Sequence, residues 1–251
     1  MKLSRLLDGC DIITASGAQT MPDADIEITV LTTDSRSARR GSLFVCISGA
    51  RSDGHDFAAS AYESGCRCFL AERPLDLAKD ASVTVVSSTR RALAVIAQRF
   101  YGEPAASLRL IGITGTKGKS TTAELIRSGL EAAGRRTGII GTCGIGYGGS
   151  LRPSANTTPD ALELADMRDA GVETVVMEVS SQAYKLDRVY GLHFAEGVFT
   201  NLSPDHIGPT EHADMEEYIS SKARLFAASA LSVLNADDAQ CGRMAHSATG
   251  D

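Results

Sequence analysis

The clearest chemistry in this sequence lies in the run Gly112-Ile113-Thr114-Gly115-Thr116-Lys117-Gly118-Lys119-Ser120-Thr121-Thr122. Glycines let backbone N–H groups turn toward phosphate oxygens without a Cβ in the way. A helix opening at Lys119 adds free donors and favourable partial charge. Lys119 can then reach the β- and γ-phosphates of a nucleotide, and Ser120 or Thr121 can offer a hydroxyl to Mg²⁺. The spacing is not the strict Gly-x-x-x-x-Gly-Lys, because Ile113 stands where that pattern needs its first glycine. The loop is the shorter Gly115-Thr116-Lys117-Gly118-Lys119-Ser120. The bland alternative is a glycine-rich turn with solvated lysines. The order of strand, loop, lysine, hydroxyls and helix argues against it.

Three further residues could join a phosphate site. Glu178 closes the apolar run Thr174-Val175-Val176-Met177, at the carboxyl end of a strand. Open α/β sheets hold ligands there, and a carboxylate suits a hard cation. His206 follows another strand by a short interval. Taken alone, a single histidine is more often structural. Lys222 lies on an amphipathic helix spanning 214–228. Met215, Tyr218 and Ile219 precede it and Leu225 and Phe226 follow it at helical spacing, so it sits within the apolar stripe. Burial of an ammonium lowers its pKa. A neutral amine can take up carbon dioxide as a carbamate, turning a cation into an oxygen ligand. The alternative is a lysine whose head snorkels to water.

These residues need a sheet to position them. From residue 108 onward, strands are expected at 108–113, 137–140, 174–179, 197–200 and 231–234. Helices are expected at 119–133, 160–169 and 214–228. Strands alternating with helices imply a mostly parallel sheet covered on both faces. The first hundred residues read as a smaller α/β module, with strands at 26–32, 43–47, 67–71 and 83–86 and helices at 57–64 and 90–101. Gly102-Glu103-Pro104 breaks the last helix. The boundary is expected near 102–108, giving domains 1–105 and 106–251. Too few strands follow for a complete doubly wound domain, so the chain is expected to stop inside the second one.

Bulk properties narrow the class. The 251 residues carry 31 acidic and 25 basic side chains, a net of −6, which disfavours a nucleic-acid surface. No stretch approaches the roughly 18 apolar residues of a membrane span, and the first sixteen residues lack a signal peptide's apolar core. Cys66 and Cys68 have poor metal spacing, and the six cysteines read as buried reduced thiols of a cytoplasmic protein.

The variant loop resembles the Gly-Thr-x-Gly-Lys-(Ser/Thr)-Thr loop of the Mur ligases. Further segments resemble that family in the same order. They are Asp34-Ser35-Arg36 with Gly41-Ser42-Leu43-Phe44-Val45, Asp53-Gly54-His55-Asp56-Phe57, Asn156-Thr157-Thr158-Pro159 and Met177-Glu178-Val179-Ser180-Ser181. Then come Thr200-Asn201-Leu202-Ser203-Pro204-Asp205-His206, Lys222-Ala223-Arg224-Leu225-Phe226 and Asn235-Ala236-Asp237-Asp238. The Asn-Thr-Thr-Pro and Glu-Val-Ser-Ser pair points to the MurE branch.

The resemblance implies a UDP-sugar-binding first domain and a P-loop-type ATP-binding second domain that is incomplete. The amino-acid-binding third domain is then absent. It implies an amide ligase that joins lysine or meso-diaminopimelate to UDP-N-acetylmuramoyl-L-alanyl-D-glutamate through an acyl phosphate, with ATP as co-substrate and Mg²⁺ as cofactor. It makes Gly115, Thr116, Lys117, Gly118, Lys119, Ser120, Thr121 and Asn235 the ATP contacts. Ser120, Glu178, His206 and a carbamylated Lys222 would be metal ligands. Ser35, Thr157, Thr158, Ser181 and Arg188 would touch the nucleotide-sugar-peptide, and His55 lies in a motif near the UDP. Two stretches depart from the family's pattern: Gln182 stands where histidine is common, and Ile207-Gly208-Pro209 follows Asp205-His206 in place of Leu-Asp. Another amide ligase of the superfamily and a non-catalytic nucleotide-binding module remain the competing readings.

Overall fold

The computed structural model describes residues 1–13, 26–49, 52–153, 161–208 and 211–248. The chain divides into two units, Met1–Phe100 and Tyr101–Asp251. The division falls at the end of the last helix of the first unit, slightly before the glycine-proline break.

In the first unit, helix α1 (Leu3–Leu7) precedes strands β1 (Val30–Thr32) and β2 (Ser42–Val45). Helix α2 (Ala58–Glu63), strands β3 (Cys68–Ala71) and β4 (Ser82–Val85) and helix α3 (Thr89–Phe100) follow. The sheet runs β1-β2-β3-β4, every pair parallel. Successive strand residues face opposite ways. Leu43, Val45, Cys68 and Leu70 therefore pack with α1 and α3, while Phe44, Cys46, Phe69 and Ala71 pack with α2. A strand buried on both faces reads as a continuous apolar run, which is why β2 and β3 were legible.

The second unit begins β5 (Arg109–Thr114), α4 (Lys119–Ala132), β6 (Thr137–Gly141), β7 (Gly144–Tyr147) and β8 (Ser150–Arg152). It continues α5 (Ala161–Asp169), β9 (Thr174–Glu178), α6 (Ser181–Lys185), β10 (Phe194–Phe199), α7 (Met215–Ala227), β11 (Ser229–Leu234) and α8 (Cys241–His246). The seven strands run β11-β10-β5-β9-β6-β7-β8. The first five are parallel and the β6-β7-β8 edge is antiparallel. That glycine-rich hairpin and the short helices α1, α6 and α8 were not anticipated from the sequence, being too short for a readable period. Among the described residues no helix is long and apolar enough to cross a membrane.

Alternation along β5 and β9 sets the geometry of everything that follows. Ile111, Ile113 and Val176 pack on the α4 face, with Ala123, Ile126 and Leu130. Leu110, Val175 and Met177 face the other way, onto the core shared with Ile219, Leu225 and Phe226 of α7. Glu178 falls two residues after Val176, so it points to the α4 side. Gly112 lets α7 approach, because a Cβ there would stand 2.7 Å from Leu225 Cδ1 and 2.9 Å from Phe194 Cδ1.

Candidate active site

β5 delivers the chain to a turn that only glycine can make. Gly115 adopts φ +151°, and a Cβ on it would collide with Thr200 Oγ1. Gly118, at φ +82°, is the residue before α4 and has open space around it, so its requirement is conformational. The loop is strapped to the segment after β10. Thr116 N–H donates to Asn201 O (2.9 Å) and Lys117 N–H to Asn201 Oδ1 (3.0 Å). Thr200 Oγ1–H and Asn201 Nδ2–H donate to Lys117 O at 2.8 and 3.0 Å.

This strapping redistributes the roles expected of the loop. The N–H groups of Thr116 and Lys117 are engaged within the protein. Thr116 Oγ1 donates to Ser203 O (3.1 Å) and accepts from Ser203 N–H (3.0 Å). Its remaining lone pair lies 3.1 Å from Tyr218 OH, which must therefore be the donor. Thr116 thus shapes the loop and, contrary to expectation, has no hydroxyl proton to offer a phosphate. The first turn of α4, Lys119 to Thr121, keeps the N–H groups that no helical carbonyl satisfies. Lys119 Nζ curls back onto Gly115 O (2.9 Å) and Thr116 O (3.0 Å). Burial pulls its pKa down, while Glu178 and Asp205 push the other way.

Glu178 is 2% exposed. Its Oε1 accepts from Ser120 Oγ–H (2.8 Å) and Thr142 N–H (2.9 Å), and its Oε2 from Thr142 Oγ1–H (3.2 Å). Gly141 makes room for the carboxylate, since a Cβ there would collide with Oε1. A cavity of about 400 Å³ opens beside this pair, lined by Ser120, Arg127, Cys143, Tyr147 and Glu178 among others. A cavity of about 540 Å³ between α7 and α8 touches none of the loop.

Lys222 is 2% exposed and does not snorkel. Its Nζ donates to Gly115 O (2.9 Å) and lies 4.6 Å from the centroid of the Tyr218 ring. Burial first, then the Lys119 charge, depresses its pKa to about 7, against a smaller pull from Asp205. The structure thus joins Lys119, Ser120, Glu178 and Lys222 around one loop, from one strand and two helices.

His206 is joined less directly. It holds a left-handed backbone, φ +55°, and its Nδ1 pairs with Glu211 Oε1 at 2.7 Å. Its ring reaches the site through Tyr218, 6.2 Å between centroids. Among the described residues no three His, Cys, Asp or Glu side chains gather as a metal cluster. The Ser120–Glu178 oxygens do suit Mg²⁺, being hard donors beside a phosphate loop.

Asn235, expected at an adenine, spends Nδ2 on Thr200 O (2.8 Å) and Oδ1 on Asp237 N–H (3.1 Å), which closes the turn after β11. Ser181 is buried in the first turn of α6, behind the capping Ser180, and Arg188 is exposed after that helix. Ser35 begins a short 3₁₀ turn after β1, capped by Asp34. Thr157 and Thr158 lie outside the described residues. His55, which lies in the motif expected near the UDP, is held within the first unit. It is 6% exposed, its Nε2 accepts Glu72 N–H (2.9 Å), and its Nδ1–H must then donate to Asp53 (2.6 Å). Those bonds hold the Asp53 carboxyl below the usual range and leave the ring structural. Cys46, Cys66 and Cys68 are buried as expected of thiols here, but Cys143 is exposed. Sequence reasoning missed Gly141, Thr142, Asn201, Ser203 and Tyr218. Of these, Asn201 and Ser203 lie in a run that resembles the family, and Tyr218 stands one turn before Lys222.

Residues 113–250 match the Mur ligase middle domain, and residues 27–101 match the Mur ligase family catalytic domain. The chain belongs to the Mur ligase family. It is 44% identical over 227 residues to the UDP-N-acetylmuramoyl-L-alanyl-D-glutamate–2,6-diaminopimelate ligase of Bacillus velezensis, covering 85% of this chain and 46% of the relative. The Clostridium perfringens protein of the same name is 40% identical over 242 residues, with coverage of 95% and 49%. A solved structure of a ligase so named superposes with TM-score 0.80 at 27% identity, over 98% of this chain and 49% of that one. The chain thus spans about half the length of the relatives it matches.

Proposed function

We propose that this chain is the nucleotide-handling half of an ATP-dependent ligase of the MurE type. The ligase would join 2,6-diaminopimelate to UDP-N-acetylmuramoyl-L-alanyl-D-glutamate in peptidoglycan synthesis. The relatives' names supply the amine, since no residue of the loop or its neighbours would select it. The observation that carries the reading is Lys222. A buried amine on a carbonyl of the phosphate loop is costly and has no purpose in the fold itself.

The chemistry asks mainly for positioning and charge neutralisation. The substrate carboxylate attacks the γ-phosphorus of ATP, and the bond to the β-bridging oxygen breaks, releasing ADP. The amine then attacks the acyl carbon of the resulting acyl phosphate. Phosphate leaves, and the nitrogen loses a proton. Lys119 would leave the carbonyls of Gly115 and Thr116 to hold the γ-phosphate. The first turn of α4 would donate to the β-phosphate. Ser120 and Glu178 would hold Mg²⁺, which offsets phosphate charge when bound.

Lys222, near its pKa at neutral pH, would attack carbon dioxide. The N–C bond forms, one C=O pair moves onto oxygen, and the nitrogen proton passes to solvent. The resulting carbamate would add oxygen ligands to those of Glu178 and Ser120, with His206 as a further ligand. Ser35, Thr157, Thr158, Ser181 and Arg188 would serve the nucleotide-sugar-peptide, while Lys117 and Asn235 would flank the ATP.

The test is ADP release and tripeptide formation by the full-length protein, given the UDP-linked dipeptide, ATP and either 2,6-diaminopimelate or L-lysine. Product with diaminopimelate is expected. Absence of product with both amines would refute the proposal.

A further inference from the structure

His212 is the buried group that the chemistry above leaves without a task. Its side chain is fully buried, yet among the described residues neither Nδ1 nor Nε2 has a hydrogen-bond partner. Glu217 Oε1 stands 3.9 Å from Nδ1, beyond hydrogen-bond reach. A leucine or phenylalanine would fill such a place more cheaply, because an unmet buried donor carries its full desolvation cost. Placement of the ring is deliberate all the same. His212 N–H donates to His206 O and His212 O accepts from Gly208 N–H, both at 3.0 Å, closing the loop that carries Asp205 and His206. The ring then packs on Tyr218, 5.3 Å between centroids. That same Tyr218 ring carries Lys222 Nζ at 4.6 Å. Tyr218 is therefore the shared wall of the lysine and the histidine.

We propose that His212 is a positioning residue whose ring N–H holds an oxygen of the Lys222 carbamate. This rests on the carbamate reading of Lys222. Burial keeps the imidazole neutral, and the charges of Lys185, Lys222 and His206 reinforce it against the opposing pull of Glu217. A neutral ring has one donor and one acceptor. While Lys222 is an ammonium, two groups that can both donate share the Tyr218 wall. Once it is a carbamate, an anionic acceptor and an unspent donor both lie against Tyr218, and a charge-assisted bond can form. The pairing explains why a polar ring occupies a place where no described residue bonds it.

The test is carbon NMR of this chain titrated with isotopically labelled bicarbonate, with Lys222→Ala identifying the carbamate signal. Thermal unfolding is measured alongside. His212→Leu should raise the bicarbonate needed for half-occupancy about tenfold, the scale of one hydrogen bond to a charged group. It should leave the unfolding midpoint equal or higher, because an unmet polar group has been removed. His212→Gln, which keeps an N–H donor, should recover part of the occupancy. A purely structural histidine would give the reverse, losing stability with carbamate unchanged. Wild-type occupancy in both variants would overturn the inference alone. Absence of any Lys222-dependent signal in the wild type would overturn the carbamate reading and the inference with it.

Discussion

Replacing Lys222 by methionine should make the protein more stable while destroying its chemistry. The magnitude follows from the buried amine. Its pKa falls from the usual 10.5 to about 7. That gap corresponds to a penalty of about 5 kcal/mol for the charged form. The sign is fixed by linkage. Below pH 7 both folded and unfolded lysine are protonated, and the fold carries the whole penalty. Between pH 7 and 10.5 the unfolded chain holds a proton that the folded one has released, so wild-type stability rises with pH. Above 10.5 both are neutral and the penalty is gone. Lys222→Met is close in volume and keeps the packing on Tyr218. Urea unfolding in carbon-dioxide-free buffer should therefore show the variant several kcal/mol more stable at pH 6.5, with the advantage shrinking steadily toward pH 10.5. A difference that does not change with pH would refute the reasoning, since it would mean the ammonium is solvated.

Other consequences are simpler to check. Gly115→Ala should abolish binding of a fluorescent ATP analogue, because its Cβ has nowhere to go beside Thr200. Gly118→Ala meets no atom within 4 Å and should cost only the strain of a left-handed alanine, about 1–2 kcal/mol in chemical unfolding. Tyr218→Phe should cost about 1 kcal/mol in the same assay by leaving Thr116 Oγ1 short of a donor. Alkylation of the native chain at pH 8 should find Cys143 first. Cys46, which burial pushes up to about 12, should react only after unfolding.

Much of this site was legible because its residues fall on regular elements. Strand alternation after Val176 is enough to place Glu178, and helical spacing between Tyr218 and Phe226 is enough to place Lys222. Glycine chemistry at 115 and 118 was legible for the same reason: the backbone there needs what only glycine supplies. The contacts that join elements were not legible. Thr116 looked like a phosphate ligand, but Ser203 and Tyr218, some ninety to a hundred residues away, take up its hydroxyl. His206 carried a motif, yet the loop from 205 to 212 turns it to Glu211. In each case a side-chain contact that no helical or strand period encodes, whether distant as for Thr116 or local as for His206, overrode the local reading. The β7-β8 hairpin was missed because its glycines resemble a loop.

A triphosphate seated on the turn from Gly115 to Ser120 underlies every role given to these side chains. A crystal structure of the chain with Mg²⁺ and a non-hydrolysable ATP analogue tests that seat most directly. Phosphates over the first turn of α4, Lys119 Nζ moved from the Gly115 and Thr116 carbonyls to the γ-phosphate, and a metal on Ser120 and Glu178 would bear it out. A nucleotide bound elsewhere, with Lys119 still folded onto its own loop, would contradict it.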